Sequence, residues 1–447
     1  MVELVHRRRK KTAARLAKLS IKQGNGTKTK RGVILISTRK FIILGLLSAL
    51  GAFGLLFARP HATLFDLKHI SPRALTPSLD ATKLAEEGDS KFQHITRGAP
   101  QCYDQQLLEA DDIDYTLCLQ ASEDRLWMMQ YHCARWDNFI SLAVHSNRSK
   151  QEIDEDLAAM GCIHHRVKVT THPIAVGSEN DYPINHLRNA AIAAATTTHV
   201  FNSDMDFWSD VNLYNSLQSS NVREALVQDN ELAIVVPALA IFRKGRCDHD
   251  DSERCRRIIA EQMPTDRYSI IDTLRKKEVT MFDVANPEGH DSTGYREWYN
   301  YNLGVLGNDY VDYLSISLRN IECLTSNRYE PYIIFRHCQS APPFQEAFSG
   351  YGKNKLTWTM QLRRLGWTFN VLDDGFVTHY PHGQSKSRKE WNHTPDELKK
   401  HRQRLRPSQI ENEDRKSLNW TDFKRGMVDK LFVDFKHWLQ EDVVDNH

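Results

Sequence analysis

Two carboxylates separated by one residue, Asp204 and Asp206, follow the short β-prone run His199-Val-Phe201. Side chains two apart on an extended segment point the same way, so one or both can reach a hard divalent ion that also takes phosphate oxygens. A bare Asp-x-Asp is common in acidic turns; its neighbours give this one weight. Upstream, Asn185 is a competent helix cap, and Leu187 to Ala195 is alanine-rich with Leu187 and Ile192 as apolar anchors. The order of helix, buried strand and acids predicts carboxylates at the carboxyl end of a strand, where open α/β sheets collect ligands. A diphosphate with its cation is the chemistry that fits.

Further blocks follow in order: Val235-Val-Pro-Ala238, Gly289-His290 with Thr293 and Trp298, Tyr329-Glu-Pro-Tyr332, Phe348-Ser-Gly-Tyr-Gly-Lys-Asn-Lys355, Val371-Leu372 and His379-Tyr-Pro-His382. With the Asp-x-Asp segment they resemble glycosyltransferase family 49, the LARGE-type and β-1,4-glucuronyltransferase proteins, over about Phe139 to Ser385. The resemblance implies a GT-A-type nucleotide-diphospho-sugar transferase domain, a UDP-sugar donor, a glycan or glycoprotein acceptor, and Mn²⁺ or another divalent cation. It implies Asp206 as a direct metal ligand, Asp204 for coordination or ribose contact, and His379 as the third ligand, with His382 as the alternative. Arg188, Asn189, Asp204 and Lys355 fall at the donor site, and His290 and Trp298 on the acceptor side. Each has a plainer role open to it: a histidine near a strand end serves as a satisfied core residue, and a tryptophan packs in a core.

An inverting transfer also needs a base for the acceptor hydroxyl. LARGE-type proteins read Tyr-Asp, two residues, then Phe before the Gly-aromatic-Gly turn; this chain has Phe344-Gln345-Glu346-Ala347-Phe348. Gln345 cannot usefully accept a proton at neutral pH, so Glu346 is the expected catalytic base, with a solvated surface glutamate as the other reading. The turn Gly350-Tyr-Gly352, followed by Lys353 and Lys355, suits presentation of cations to a phosphate or uronic carboxylate.

The 447 residues carry a formal net charge of +2, but the basic residues are concentrated at one end. Residues 1–40 include Arg7-Arg8-Arg9-Lys10-Lys11 and eight further lysines and arginines against the single acid Glu3. An apolar stretch, Phe41 to Ala58, follows directly and carries no charge. At helical rise it spans about 27 Å, close to a hydrocarbon core. This combination argues against a nucleic-acid arm and for a retained signal-anchor in the lipid bilayer, with the basic flank cytoplasmic and the rest luminal.

Eight cysteines all lie after the anchor, an even count compatible with luminal disulfides. Cys247 and Cys255 could close a short loop; no Cys-x-x-Cys pair supports a zinc cluster. Asn147, Asn392 and Asn419 begin glycosylation sequons open to the lumen, whereas the Asn25 sequon falls in the cytoplasmic tail.

The expected organisation is a tail (1–40), an anchor (41–58), a stem (59–101), one GT-A domain (102–390) and a helical extension (391–447) packed on it. Phe139–Val144, Arg166–Thr170 and Leu232–Val236 read as core strands, and strands interleaved with helices predict an α/β fold with a mixed, mainly parallel sheet. Thr394-Pro-Asp-Glu-Leu398 reads as a helix start, and Met427, Leu431, Phe435, Trp438 and Leu439 as a helical stripe facing the domain. LARGE-type proteins carry two transferase domains; this chain has room for one.

The family resemblance makes the expected protein a single-pass type II Golgi enzyme moving glucuronate from UDP-glucuronate to a glycan hydroxyl. UDP-xylose or UDP-N-acetylglucosamine as donor, an inactive glycan-binding or scaffolding relative, and a metal-dependent hydrolase are the competing readings. Homo- or hetero-oligomers with other Golgi transferases are compatible with any of them.

Overall fold

The computed structural model describes residues 91–95, 97–102, 108–175, 182–242, 247, 252–307, 316–394 and 420–443. All belong to one compact unit, Pro77–His447. The basic tail, the expected membrane span, most of the stem, the helix start after Thr394 and the Asn25 and Asn419 sequons lie outside the described residues. Among the described residues no helix is long and apolar enough to cross a membrane.

The core is an eight-stranded sheet in the order β3-β2-β1-β4-β10-β6-β11-β9. Its strands are β1 Tyr115–Ser122, β2 Ile140–His145, β3 Val167–His172, β4 His199–Asn202, β6 Leu232–Val236, β9 Leu318–Asn320, β10 Tyr332–Arg336 and β11 Thr368–Leu372. The first four pair in parallel, as do β6 and β11, while β10 and β9 run antiparallel to their neighbours. The sheet is therefore mixed and mainly parallel. Strands β2, β4, β6 and β10 are buried along their whole length, as central strands covered on both faces must be.

The Ile184–Ala193 helix lies against β1 and β2, and its alanines let it approach closely. It starts directly after Pro183, so Asn185 falls inside the first turn and is not the cap. Its side chain donates instead to the Gln345 carbonyl at 2.8 Å.

A second sheet, β5-β12-β7-β8, joins Phe207–Ser209, Val377–His379, Ala238–Ile241 and Val279–Met281. Within it His379 lies opposite Phe207, the residue after Asp206. Strand register thus carries a residue from far along the chain to the Asp-x-Asp turn.

The globular body begins before Cys102. Phe92 and Ile95 are buried, and Phe92 packs among Phe348, Phe435 and Trp438. The C-terminal Lys424–Glu441 helix covers this cluster through Val428, Phe435, Trp438 and Leu439. Leu431 packs at its edge, and Met427 departs from the expected stripe, being 50% exposed. Disulfides join Cys102 to Cys338, Cys133 to Cys162 and Cys247 to Cys255; Cys118 is buried and unpaired, and Cys323 is exposed.

Candidate metal and donor site

Asp204 and Asp206 lie just past the carboxyl end of β4, but their surroundings differ. Asp204 Oδ1 accepts from Gln120 Nε2 at 2.6 Å and from Arg188 at 2.7 Å. Its Oδ2 accepts from the Tyr332 hydroxyl at 2.9 Å and from Lys355 Nζ at 3.2 Å. Burial pushes this carboxyl up, yet Lys355 and Arg188 outweigh it and hold it well below the usual range. Arg188 is 1% exposed, is braced by Asn185 Oδ1 at 3.0 Å, and lies over the Phe344 ring. Lys355 Nζ stands 3.8 Å from the centre of the Tyr332 ring, a cation–π contact.

Asp206 faces imidazoles. His382 Nε2 lies 2.6 Å from its Oδ2, and His379 Nε2 lies 3.7 Å away. Ligand atoms of Asp206, His379 and His382 all fall within 4.8 Å of one another. Burial again pushes the Asp206 carboxyl up, and the two imidazoles outweigh it. His382 Nδ1 lies 2.5 Å from the Gly383 carbonyl, so this ring is held between the following turn and Asp206. One carboxylate and two imidazoles form a mixed O/N donor set of the kind that suits a divalent first-row transition-metal cation.

The sequence-derived ligand set and this group share Asp206 and His379. His382 joins them, whereas both oxygens of Asp204 are engaged by Gln120, Arg188, Tyr332 and Lys355. Arg125, on the turn Glu123–Met128 after β1, also reaches the group, 3.5 Å from Asp206 and 3.1 Å from His382 Nδ1.

Asn189 holds a loop: its Oδ1 accepts from the Phe344 N–H at 2.9 Å, and its Nδ2 donates to the Phe344 carbonyl and to Glu346 Oε1. Glu346 Oε2 sits 3.0 Å from His186 Nδ1, and His186 Nε2 is 3.1 Å from His172 Nδ1. His290 is buried beside Phe282; burial, with Lys355 adding to it, pushes its imidazole down to about 3, so it is neutral at physiological pH. Trp298 does not fit the acceptor-side expectation: it is 1% exposed and packs edge-on against Phe376, so no ring face is open to a sugar. Lys353 turns away from the site to Asp429 on the C-terminal helix, at 2.8 Å.

Gln120 and Arg125 were not singled out from sequence, and Tyr332 entered only as the end of a motif block, with no role of its own. Glu330 was not singled out either, though it sits in the Tyr329–Tyr332 block. Burial pushes its carboxyl up, against the pull of Lys355 and Arg188, and it accepts the Leu356 backbone N–H.

Comparison with known proteins places this geometry. The xylosyl- and glucuronyltransferase LARGE2 of Mus musculus is 28% identical over 275 residues, covering 61% of this chain and 35% of that protein. The LARGE1 protein of Homo sapiens is 28% identical over 277 residues, covering 62% and 32%. The chain thus spans about a third of the length of these curated relatives. A crystal structure of GalNAc-T7 with UDP, GalNAc and Mn²⁺ is 12% identical, with a TM-score of 0.34 over 75% of this chain and 58% of that one, too loose a likeness to carry an argument. The family model described as "Glycosyl-transferase for dystroglycan" matches residues 147–417, well over half of the sequence, and the chain belongs to that family, glycosyltransferase family 49.

Proposed function

We propose that this protein is a metal-dependent, inverting glycosyltransferase that moves glucuronate from UDP-glucuronate to a glycan hydroxyl in the Golgi lumen. The observation that carries the reading is the Asp206, His379 and His382 group standing beside the buried Arg188–Asp204–Lys355 cluster. A divalent cation held by Asp206, His379 and His382 would neutralise the charge that grows on the departing diphosphate.

The remaining roles fall to the chain's own residues. Arg188 and Lys355 place two positive charges at the donor site, and their shared bond to Asp204 keeps both side chains fixed before substrate arrives. Glu346 takes the proton of the acceptor hydroxyl, oriented by His186 and Asn189. Glucuronate as the donor sugar is supported by these cations and by relatives that are xylosyl- and glucuronyltransferases. A GT-A-type fold is supported by the Asp-x-Asp turn at the end of a central parallel strand, and a luminal setting by three disulfides.

Gln345 in place of the family's aspartate is the residue that would favour the inactive-relative reading. That side chain is fully buried against Gln93 and Gln361, so its lack of charge says nothing about proton transfer at the surface of the site.

The test is UDP release by the full-length protein in detergent, with Mn²⁺ and a panel of UDP-glucuronate, UDP-xylose and UDP-N-acetylglucosamine, with and without glycoside acceptors. Acceptor-dependent release from UDP-glucuronate is expected, with inverted product configuration by NMR. Release without acceptor would indicate a hydrolase, and no release from a folded protein would indicate a binding protein.

A further inference from the structure

The residues around Glu346 alternate in direction. Phe344 stacks on Trp358 with ring centres 4.1 Å apart, under the Arg188 guanidinium. Glu346 reaches His186 and Asn189. Between them Gln345 points to the other side, into a fully buried position. Its Oε1 accepts from the Gln93 backbone N–H at 2.8 Å, and its Nε2 donates to the Gln93 carbonyl at 2.7 Å and to Gln361 Oε1 at 2.7 Å. Both amide hydrogens are therefore used, and Gln93 is bonded as a neighbouring β-strand would bond it.

We propose that Gln345 is a positioning residue: it straps residues 91–95 across the Phe344–Phe348 loop and so holds Glu346 in place for proton transfer. This rests on the reading of Glu346 as the base. Each end of the strap contact is anchored. Phe92, next to Gln93, is wedged among Phe348, Phe435 and Trp438. On the opposite face Asn185 and Asn189 bond the carbonyls of Gln345 and Phe344. The loop is thus gripped from two sides, and only the Gln93 side depends on the residue at 345 supplying two N–H donors.

The departure from the family's aspartate acquires a physical reason. A carboxylate at 345 would set oxygens against the Gln93 carbonyl and Gln361 Oε1, both acceptors, in a fully buried position. An amide is the group that satisfies all three partners. The segment that reads as the end of a stem is then part of the site's framework.

The test uses the full-length protein and two substitutions acting on opposite ends of the contact. Gln345→Glu keeps the shape and removes the donors; Gln93→Pro removes the backbone N–H. Each is expected to lower kcat at least about tenfold while the donor KM and Mn²⁺-dependent UDP affinity stay within about twofold, and the double variant to be little worse than either single one. Hydrogen exchange should quicken at residues 92–95 and 345–348 and stay unchanged in β1, β4 and β10. Retained kcat, independent effects that multiply, or parallel loss of UDP binding with faster exchange throughout would each overturn the proposal. If the unmodified protein turns over no donor, the base assignment fails, and exchange alone decides the strap: quickening confined to the two segments sustains it, and unchanged exchange ends it.

Discussion

Asp204 and Asp206 are the same residue type two positions apart, yet the fold gives them opposite partners. Asp204 accepts four donors, two of them cationic, whereas Asp206 faces two imidazoles whose nitrogens are themselves metal-ligating groups. Asp204 is saturated as a hydrogen-bond acceptor and has little left to offer a cation. Asp206 has an oxygen close to two imidazole nitrogens, a group of three side chains that a cation would bind together. An Asp-x-Asp spacing aligns two carboxylates, and the neighbours then separate them: one is bonded to Arg188 and Lys355, and the other is the one the proposed function gives to the metal.

The sharpest way to break this contrast is Asp206→Ala. It should reduce acceptor-dependent UDP release by about a thousandfold or more, with loss of Mn²⁺ binding by titration calorimetry. His379→Ala and His382→Ala should each weaken Mn²⁺ by at least about tenfold, whereas Asp204→Asn should change it by less than about threefold. Equal effects of the two Asp substitutions on Mn²⁺ would erase the distinction.

Acid sensitivity separates the pair from the rest of the core. Both aspartates have depressed pKa values in the fold, so the stability they contribute is present above the unfolded value and is lost only when pH falls below the ordinary carboxylate range. Buried histidines act earlier. Burial pushes His132 down to about 4 and His199 down to about 3. The unfolded chain binds protons there from pH 6.5 downward, so stability should fall as pH drops from 6.5 toward 4. Asp210, raised by burial to about 6, works in the opposite sense and reduces the net loss. His290, pushed down to about 3, adds to the loss, so a net fall in stability is expected by denaturant titration between pH 7 and pH 4.5, with His199→Gln flattening the slope.

Asp204→Asn should act on stability as well as on turnover. Arg188 is almost wholly buried, and removing its anionic partner leaves a desolvated cation less well compensated. Because the Asp204 side chain is 19% exposed and Asn keeps one acceptor, the loss should be roughly 2 kcal/mol, below the range for breaking a fully buried pair. Urea unfolding would check this. Asp206→Asn, which strands no buried guanidinium, should cost less than half as much.

What was legible in the sequence was mostly local. The Ile184–Ala193 helix, β4, the Asp pair and the Cys247–Cys255 loop each declare themselves within a few dozen residues. Arg188 could be placed only through the family resemblance, since nothing in its own spacing marks it, and the glycine turn that marked Lys355 marked Lys353 equally. The choice between His379 and His382 needed the β12–β5 register and the turn that follows it, and both residues proved to reach Asp206. Gln120, Arg125 and Tyr332 arrive by pairing of distant strands, which leaves no mark on spacing. Trp298 carries the same letter whether it stacks on a sugar or fills a core, so burial alone could decide it. The packing of Phe92 and Gln93 was not legible because they lack periodic neighbours; their partners Phe348, Phe435 and Gln345 lie hundreds of residues on.

A second pair two residues apart repeats the lesson with a smaller stake. Lys355 is buried and reaches Asp204, while Lys353, in a left-handed backbone conformation at φ 60°, reaches Asp429 on the C-terminal helix. The Lys353–Asp429 pair is partly exposed on both sides, so Lys353→Ala should cost less than about 1 kcal/mol and leave kcat unchanged. Lys355→Ala removes a charge from the donor site and should lower kcat/KM for the UDP-sugar by about a hundredfold. Both lysines follow one glycine turn, and sequence alone assigned them one role. A comparable loss of kcat/KM in the two variants would mean that the turn acts as a unit and that the C-terminal helix, through Asp429, takes part in holding the donor.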